Sequence, residues 1–165
     1  MGSHNRLPIV FKEMNMDKFF IILNAANYKN GYEFDDGFND TSKFGFNMEF
    51  TSIYNIFAHV YSGPCYREVI IPDNLPILFF KKTENGYLYN SDKLILGEVK
   101  IWDINNIKYL IDNGADIFAG DYALIRWSLQ NNLLVFYYLQ EYVCEVIGEH
   151  VWSDIIDYFI KRGIL

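Results

Sequence analysis

The spacing of apolar residues changes near residue 100, and this change constrains the fold more than any other feature of the sequence. Before residue 100, short apolar runs rich in aromatic and β-branched residues are separated by Gly, Pro, Asn and Asp. Such runs are typical of strands joined by turns. After residue 100, apolar residues recur every three or four positions and proline is absent, as in amphipathic helices. The sequence therefore predicts an α+β fold, with a small mixed sheet and one helix followed by a stack of about four helices.

Several strands are predicted in the first part of the chain. Each consists of a short apolar or alternating run that ends at turn residues. The polar run Lys81–Asn85 between two such segments predicts a hairpin. The predicted strands are Lys18–Asn24, Tyr32–Phe34, Tyr66–Ile71, Ile77–Phe80, Gly86–Tyr89 and Leu94–Leu96.

One helix is predicted in the same part. Either Thr51 or Ser52 can cap its first turn, and Gly63-Pro64 ends it. The apolar residues between these limits fall three or four positions apart, which gives the helix one apolar face. That face is expected to consist of Ile53, Ile56, Phe57 and Val60.

Four helices are predicted after residue 100, each with a signal for its start or its end. The expected caps are Asp103, Asp121 and Ser153, and the expected ends are Asn113-Gly114, Asn131-Asn132, Gly148 and Gly163. The residues expected to face inward include Ile107, Leu110, Ala123, Leu124, Trp127, Ser128, Val135, Phe136, Leu139, Val143, Val146, Ile155, Phe159 and Ile160.

Size and charge limit the classes of partner. The chain has 165 residues, enough for one ordinary domain or two small ones, and a net charge of −7. Negative charge repels phosphate backbones and anionic lipid, so we expect no nucleic-acid partner and no membrane partner. The two cysteines, Cys65 and Cys144, form no CxxC pattern, and the apolar runs are too short to span a bilayer. These features favour a protein of the reducing cytoplasm.

No set of reactive residues predicts catalysis. His59 has no partner at helical spacing, and Cys144 and His150 miss the i,i+4 spacing of two ligands on one helix. The acidic run Asp35–Asp40 lacks the alternating ligands of an EF-hand, so we predict a solvated loop. The sequence contains no glycine-rich phosphate loop and no GxSxG motif. We therefore expect no enzyme activity, no cofactor and no bound metal.

A short internal repeat links the predicted helices to a known family. Asn106–Ile111 recurs loosely 29 residues later as Val135–Gln140, and Ile155–Ile160 is a weaker third copy. A period of about 30 residues made of helix pairs is typical of ankyrin-type solenoids. The segment Ile107–Ile117 resembles the end of an ankyrin repeat, and Asp121–Ser128 resembles the first helix of the next. The usual Thr-Pro-Leu-His is replaced here, as is common in the ankyrin-repeat proteins of giant amoebal viruses, the mimivirus group.

The first part also resembles the module that often precedes the ankyrin array in those viral proteins. The resemblance rests on the segments Lys18–Asn24, Tyr28–Asn39, Arg67–Asp73 and Asp92–Gly97. Asn47–Thr51 departs from the family pattern and keeps only its Phe-Thr. We expect residues 1–15 to be a tag remnant and leader, residues 16–100 the α+β module, and residues 101–165 ankyrin-like repeats with a terminal capping helix.

The family resemblance implies a partner-binding surface. In ankyrin arrays this surface usually consists of the inner helices and the loop before them. The tyrosines of the second part are also numerous, and they either anchor a partner or line the seam between the two modules. The predicted partner-binding residues are Phe118, Asp121, Tyr122, Ile125, Arg126, Tyr137 and Tyr142.

Three functions are compatible with these observations. The first is a non-enzymatic interaction module of a giant virus, which binds a host or viral protein in the host cytoplasm. The second is a degenerate transferase or hydrolase in the α+β module, with its site near Asn39, Glu49 and His59. The third is a self-associating structural protein, for example a homodimer, because a short helical array leaves apolar faces to be covered.

Overall fold

The structure is a computed structural model that describes residues 18–24, 28–29, 32–72, 79–84 and 86–165. The residues predicted to form a tag remnant and leader lie outside these ranges. The strands are β1 (Phe19–Leu23), β2 (Tyr28–Lys29), β3 (Tyr32–Glu33), β4 (Gly37–Asp40), β5 (Met48–Ser52), β6 (Cys65–Ile70), β7 (Phe79–Thr83), β8 (Gly86–Ser91), β9 (Lys93–Leu96) and β10 (Lys100–Ile101). The helices within the same ranges are two 3₁₀ helices (Ser42–Phe44 and Ile53–Ser62), α1 (Ile104–Asp112), α2 (Ala119–Asn131), α3 (Leu133–Tyr142), a π-helix (Val143–Gly148) and α4 (Glu149–Lys161).

The strands confirm the predicted α+β class but correct the predicted sheet. Eight strands form one sheet in the order β4-β9-β6-β1-β5-β8-β7, and β10 pairs with the other end of β6. β2 and β3 pair separately. Every pairing of the described strands is antiparallel. The prediction of a small mixed sheet was therefore wrong. The 3₁₀ helix Ile53–Ser62 links β5 to β6, but β1 lies between these two strands and pairs antiparallel with both.

The strand predictions were correct where apolar runs are continuous. β1, β6, β9 and the β7–β8 hairpin form as expected, although Ile77 and Leu78 lie outside the described residues. The predicted loop at Asp35–Asp40 is instead partly a strand, since β4 pairs with β9 over four residues. β5 and β10 were not predicted either. Backbone pairing to an apolar neighbour overrides the local polarity of such strands.

One apolar core joins the sheet to the helices. Alternate residues of β1 lie in different clusters: Phe20 packs with the helices, whereas Phe19 and Ile21 pack on the opposite face. Trp102 lies in the helical cluster, with its ring centroid 4.7 Å from that of Tyr66 in β6. The core therefore crosses residue 100, and the division into two modules there stays a prediction.

The first predicted helix forms as a 3₁₀ helix that ends at Gly63. Its four buried residues are the predicted ones, Ile53, Ile56, Phe57 and Val60. The capping prediction was wrong, because the Ser52 side chain makes no capping hydrogen bond and Thr51 belongs to β5.

Local signals set α1 correctly. The Asp103 carboxylate accepts a 2.8 Å hydrogen bond from the Asn106 backbone N–H, which satisfies a free donor of the first turn. The helix ends at Asp112, and Gly114 follows in a left-handed conformation.

The later helices differ from the prediction in which residues face inward and in where the last helix begins. The π-helix after α3 has a wider turn than an α-helix, which changes the direction in which its own side chains and those beyond it point. Val146, predicted to face inward, is consequently 65% exposed. α4 begins at Glu149, so Ser153 lies inside the helix and does not cap it. Ile160 was also predicted inward but is exposed, because Ile155 and Phe159 define the buried face.

Candidate functional site

Three consecutive left-handed residues interrupt the start of α2. Gly120, Asp121 and Tyr122 have φ values of +63°, +60° and +60°. A left-handed backbone costs a non-glycine residue about 1–2 kcal/mol, so two such residues in succession require support from their surroundings. We call Gly120–Tyr122 the left-handed turn.

The left-handed turn corrects the predicted cap of the second helix. Asp121 makes no capping hydrogen bond within α2; its Oδ1 instead accepts a 2.5 Å hydrogen bond from the hydroxyl of Tyr158 in α4. The Arg126 guanidinium donates to the carbonyl oxygen of Gly120 at 3.1 Å. Both contacts come from residues beyond the turn, so a local capping rule cannot anticipate them.

Packing also holds the left-handed turn in place. A Cβ atom on Gly120 would lie 2.7 Å from Cα of Ala58 in the longer 3₁₀ helix, which leaves room only for glycine. On the other side, the Tyr122 ring contacts the rings of Phe118, Tyr158 and Phe159 at centroid distances of 5.3–6.1 Å. The turn thus bridges the 3₁₀ helix and α4.

Most residues predicted for the partner surface lie around this turn. Asp121 is exposed, and Phe118, Tyr122 and Arg126 are half-buried. Ile125 is 0% exposed and belongs to the helical core, so it cannot contact a partner in this conformation. The helical phase places it beside Leu124, on the buried side of α2.

The two predicted tyrosines of α3 lie apart from this cluster. Tyr137 is 60% exposed, with Leu133 and Leu134 exposed one turn earlier. These three residues form an apolar stripe on the outer face of α3. Tyr142 is half-buried and contacts the Tyr138 ring at 6.3 Å. No ring contact joins Tyr137 or Tyr142 to the left-handed turn within the part of the chain that the structure describes.

A shallow groove of about 490 Å³ lies at the far end of α2. Trp127, predicted to be buried in the core, is half-buried and lines this groove. None of the described residues that line it is charged. They are Val60, Tyr61, Gly63, Pro64, Ile101, Trp102, Trp127, Asn131 and Asn132.

A second, smaller cavity opens where two central strands separate. β1 and β5 pair only through Phe19–Ser52 and Phe20–Thr51, although β1 continues to Leu23 and β5 begins at Met48. The gap forms a cavity of about 140 Å³. We call it the strand-gap cavity. Its lining residues are Phe20, Ile21, Ile22, Leu23, Glu49, Phe50, Thr51, His59, Ser62 and Leu88.

The strand-gap cavity brings together two of the three residues of the alternative enzyme site. Glu49 is exposed, and His59 is half-buried with a buried Nε2 that has no hydrogen-bond partner among the described residues. Burial lowers the pKa of His59, and the nearby negative charge of Glu49 partly opposes this effect. Asn39 lies elsewhere: its side chain is buried and bonds to the backbone of Asp35 and Gly37, which closes a turn.

Arg67 is the functional-looking residue that sequence reasoning missed, and its role is structural. It is fully buried, and it donates to the carbonyl oxygens of Gly97 at 2.7 Å and Phe34 at 3.1 Å. It also pairs with the carboxylate of Asp36. Three segments that carry the family resemblance therefore meet at one guanidinium. The Asp40 carboxylate instead accepts hydrogen bonds from the backbone N–H and the hydroxyl of Ser42. These bonds lower the pKa of the Asp40 carboxyl.

The nearby charge of Arg67 acts on the Cys65 thiol, but burial of this thiol has the larger effect. Cys65 is buried, which raises the pKa of its thiol, and Cys144 is half-buried. The residues that the structure describes contain no group of three His, Cys, Asp or Glu side chains that could hold a metal ion. The described helices include none with the length and apolar character needed to cross a bilayer.

Comparisons with known proteins identify viral relatives. An ankyrin repeat protein of Acanthamoeba polyphaga mimivirus is 34% identical over 117 residues, which are 70% of this chain and 26% of that protein. A second ankyrin repeat protein of the same virus is 23% identical over 137 residues, which are 76% of this chain and 67% of that protein. This chain thus spans only about a quarter of the first relative.

Other comparisons add no further relationship. No family model matches the chain, and no solved structure gives a significant match. Both relatives are ankyrin repeat proteins of a mimivirus, in agreement with the family resemblance noted from the sequence. The chain is therefore a giant-virus ankyrin-repeat-like protein, related in sequence to these two mimivirus proteins.

Proposed function

We propose that the chain is a non-enzymatic protein-interaction module that binds a host or viral protein through an ankyrin-like helical surface. The observation that carries this proposal is the left-handed turn Gly120–Tyr122, whose two strained non-glycine residues sit where the resemblance places the partner-facing loop. Strained backbone of this kind clusters at binding sites. The similarity to two ankyrin repeat proteins supports the same function.

The helix arrangement also supports the ankyrin-like part of the proposal. α1 stands at the position of a repeat's second helix, and α2 and α3 follow as the next helix pair. α3 contacts both α1 and α2, as a stacked array requires. The core shared with the sheet supplies cover on one side of this short array.

The chemistry of the proposed surface suits a protein partner. Phe118, Tyr122 and Tyr137 offer aromatic area, Asp121 and Arg126 offer charge, and aromatic anchors surrounded by polar groups are typical of interfaces. The net charge of −7 would favour approach of a basic partner. We place this interaction in the host cytoplasm.

Site-specific photo-crosslinking in lysate of infected host cells tests the proposal. The photoreactive residue p-benzoylphenylalanine would replace Tyr137 or Tyr122, and Tyr87, an exposed tyrosine of β8, would serve as the matched control position. We expect one protein to crosslink from positions 137 and 122 but not from position 87. Equal crosslinking from all three positions, or none, would contradict the proposal.

The apolar stripe of α3 favours self-association as a second candidate. Leu134 is 71% exposed, beside Leu133 and Tyr137. If this stripe forms a homodimer, sedimentation velocity will show a dimer that Leu134→Glu converts to a monomer. A wild-type monomer at high concentration would exclude this candidate and leave the first untouched.

A further inference from the structure

We propose that the strand-gap cavity binds the side chain of a lysine or arginine from a partner polypeptide. The cavity is built from β1, β5, β8 and the longer 3₁₀ helix, and it shares no residue with the proposed helical surface. An experiment can therefore contradict one of the two proposals without affecting the other.

The size of the cavity selects the class of ligand. Sites for drug-sized molecules and cofactors occupy about 300–1,000 Å³. The strand-gap cavity measures about 140 Å³, which is too small for such molecules and suits a single extended side chain.

The charge of the lining selects a cation. Glu49 contributes the one carboxylate, and the lining contains no Lys or Arg. Among the residues that the structure describes, no basic side chain forms an ion pair with Glu49. An unpaired carboxylate at the rim of a cavity is a ready partner for an ammonium or guanidinium group, especially in a chain of net charge −7.

The apolar walls select a cation that carries an aliphatic stem. Phe20 and Ile22 line the gap on the face of β1 that packs against the helices, and Leu88 lies on the neighbouring strand. Lysine and arginine bury their methylene stems along such surfaces while the charged group stays at a polar rim. A small inorganic cation would leave these walls without contact.

His59 does not oppose the binding of a cation in this cavity. Burial lowers the pKa of its imidazole, so the ring is neutral near pH 7 and does not repel an incoming cation. A neutral imidazole also keeps one nitrogen as a hydrogen-bond acceptor. Glu49 and His59 thus present a negative charge and an uncharged polar ring to the same space.

The test is an NMR titration of the full chain labelled with ¹⁵N. The ligands are the capped tripeptides Gly-Lys-Gly and Gly-Arg-Gly, an uncharged control peptide with norleucine at the central position, and free 1,4-diaminobutane. The variants are Glu49→Gln and, as a matched control, Glu98→Gln, which removes an exposed carboxylate outside the cavity.

The expected result is saturable, millimolar binding of the lysine and arginine peptides that shifts the amide signals of Ile21, Ile22 and Glu49. Glu49→Gln should weaken this binding at least tenfold, whereas Glu98→Gln should leave it unchanged. Equal binding of the norleucine peptide, unchanged binding in Glu49→Gln, or the absence of shifts would overturn the proposal. Tighter binding of the free diamine than of the peptides would overturn the assignment to a polypeptide partner.

Discussion

The hydroxyl of Tyr158 in α4 donates a 2.5 Å hydrogen bond to Oδ1 of Asp121, a residue held at φ +60°. The two residues lie 37 positions apart in the sequence. The Asp121 carboxylate therefore bonds to a residue of α4 and does not cap the first turn of α2. The conformation of the left-handed turn therefore depends on the position of α4.

Replacing Tyr158 by phenylalanine tests this dependence. The variant keeps the ring that packs on Tyr122 and Phe159 but removes the donor to Asp121. We expect faster amide hydrogen exchange in Gly120–Tyr122 with little change elsewhere. Tyr137→Phe removes a hydroxyl from an exposed side chain and is the matched control. Identical exchange in both variants would show that the hydrogen bond does not hold the turn.

The same hydrogen bond predicts a response to alkaline pH. Bonding to Asp121 raises the pKa of Tyr158 above the ordinary tyrosine value of 10.0. The unfolded chain therefore loses this proton first, so stability from the bond is fully present below pH 10 and is lost as pH rises further. Urea unfolding between pH 9 and pH 11 should show a smaller decrease in Tyr158→Phe than in the wild type. Equal decreases in stability in the two proteins would show that Tyr158 does not cause the loss of stability at alkaline pH.

Gly120→Ala should be more destabilising than Gly114→Ala. Both glycines are left-handed, with φ values of +63° and +98°, but only Gly120 touches another element, at Ala58. Backbone strain costs each variant about 1–2 kcal/mol, and overpacking adds about 1–3 kcal/mol at Gly120. Urea denaturation measures both free energies of unfolding. Equal losses of the free energy of unfolding would show that α2 and the 3₁₀ helix move apart enough to accommodate the added methyl group.

These two glycines also show what the sequence can and cannot predict. Gly114 follows an apolar helical repeat that starts at the capping residue Asp103, so local signals predicted α1 correctly. Gly120 looks like any loop glycine, because its constraint comes from Ala58, which is distant in sequence. The left-handed turn next to it is stabilised by Tyr158, and no local pattern encodes that partner.

The strand-gap cavity was only half predictable for the same reason. The sequence singled out Glu49 and His59 as polar residues of one region, and the structure places both at the cavity. The cavity itself exists because the pairing of β1 and β5 stops at Phe20–Thr51, which is a relationship between strands. Asn39, the third residue of that predicted site, instead closes a turn, with its side-chain amide donating to the Asp35 carbonyl.

Arg67→Ala should cause the largest loss of stability among single variants of the sheet. It leaves the carbonyl groups of Gly97 and Phe34 without their buried donor. Each buried acceptor left without a donor costs about 1–3 kcal/mol, and the cavity left by the large side chain adds to this loss. Asp36→Asn should cost about 1 kcal/mol or less, because the Asp36 side chain is mostly exposed and Arg67 keeps its carbonyl partners. Similar losses for the two variants, measured by urea denaturation, would contradict this ranking.

His59 should make the protein less stable in mild acid. Burial holds its pKa below the ordinary value of 6.5, so the unfolded chain binds a proton more readily than the folded chain as the pH falls through this value. Stability is therefore lost as pH falls from about 7 through 6.5 towards the folded pKa, at less than about 1.4 kcal/mol per pH unit for this half-exposed ring. His59→Gln should flatten the change in free energy of unfolding between pH 7 and pH 5. Glu49→Gln should steepen it, because Glu49 favours the protonated ring. A wild-type slope that survives in His59→Gln would assign the effect to other groups.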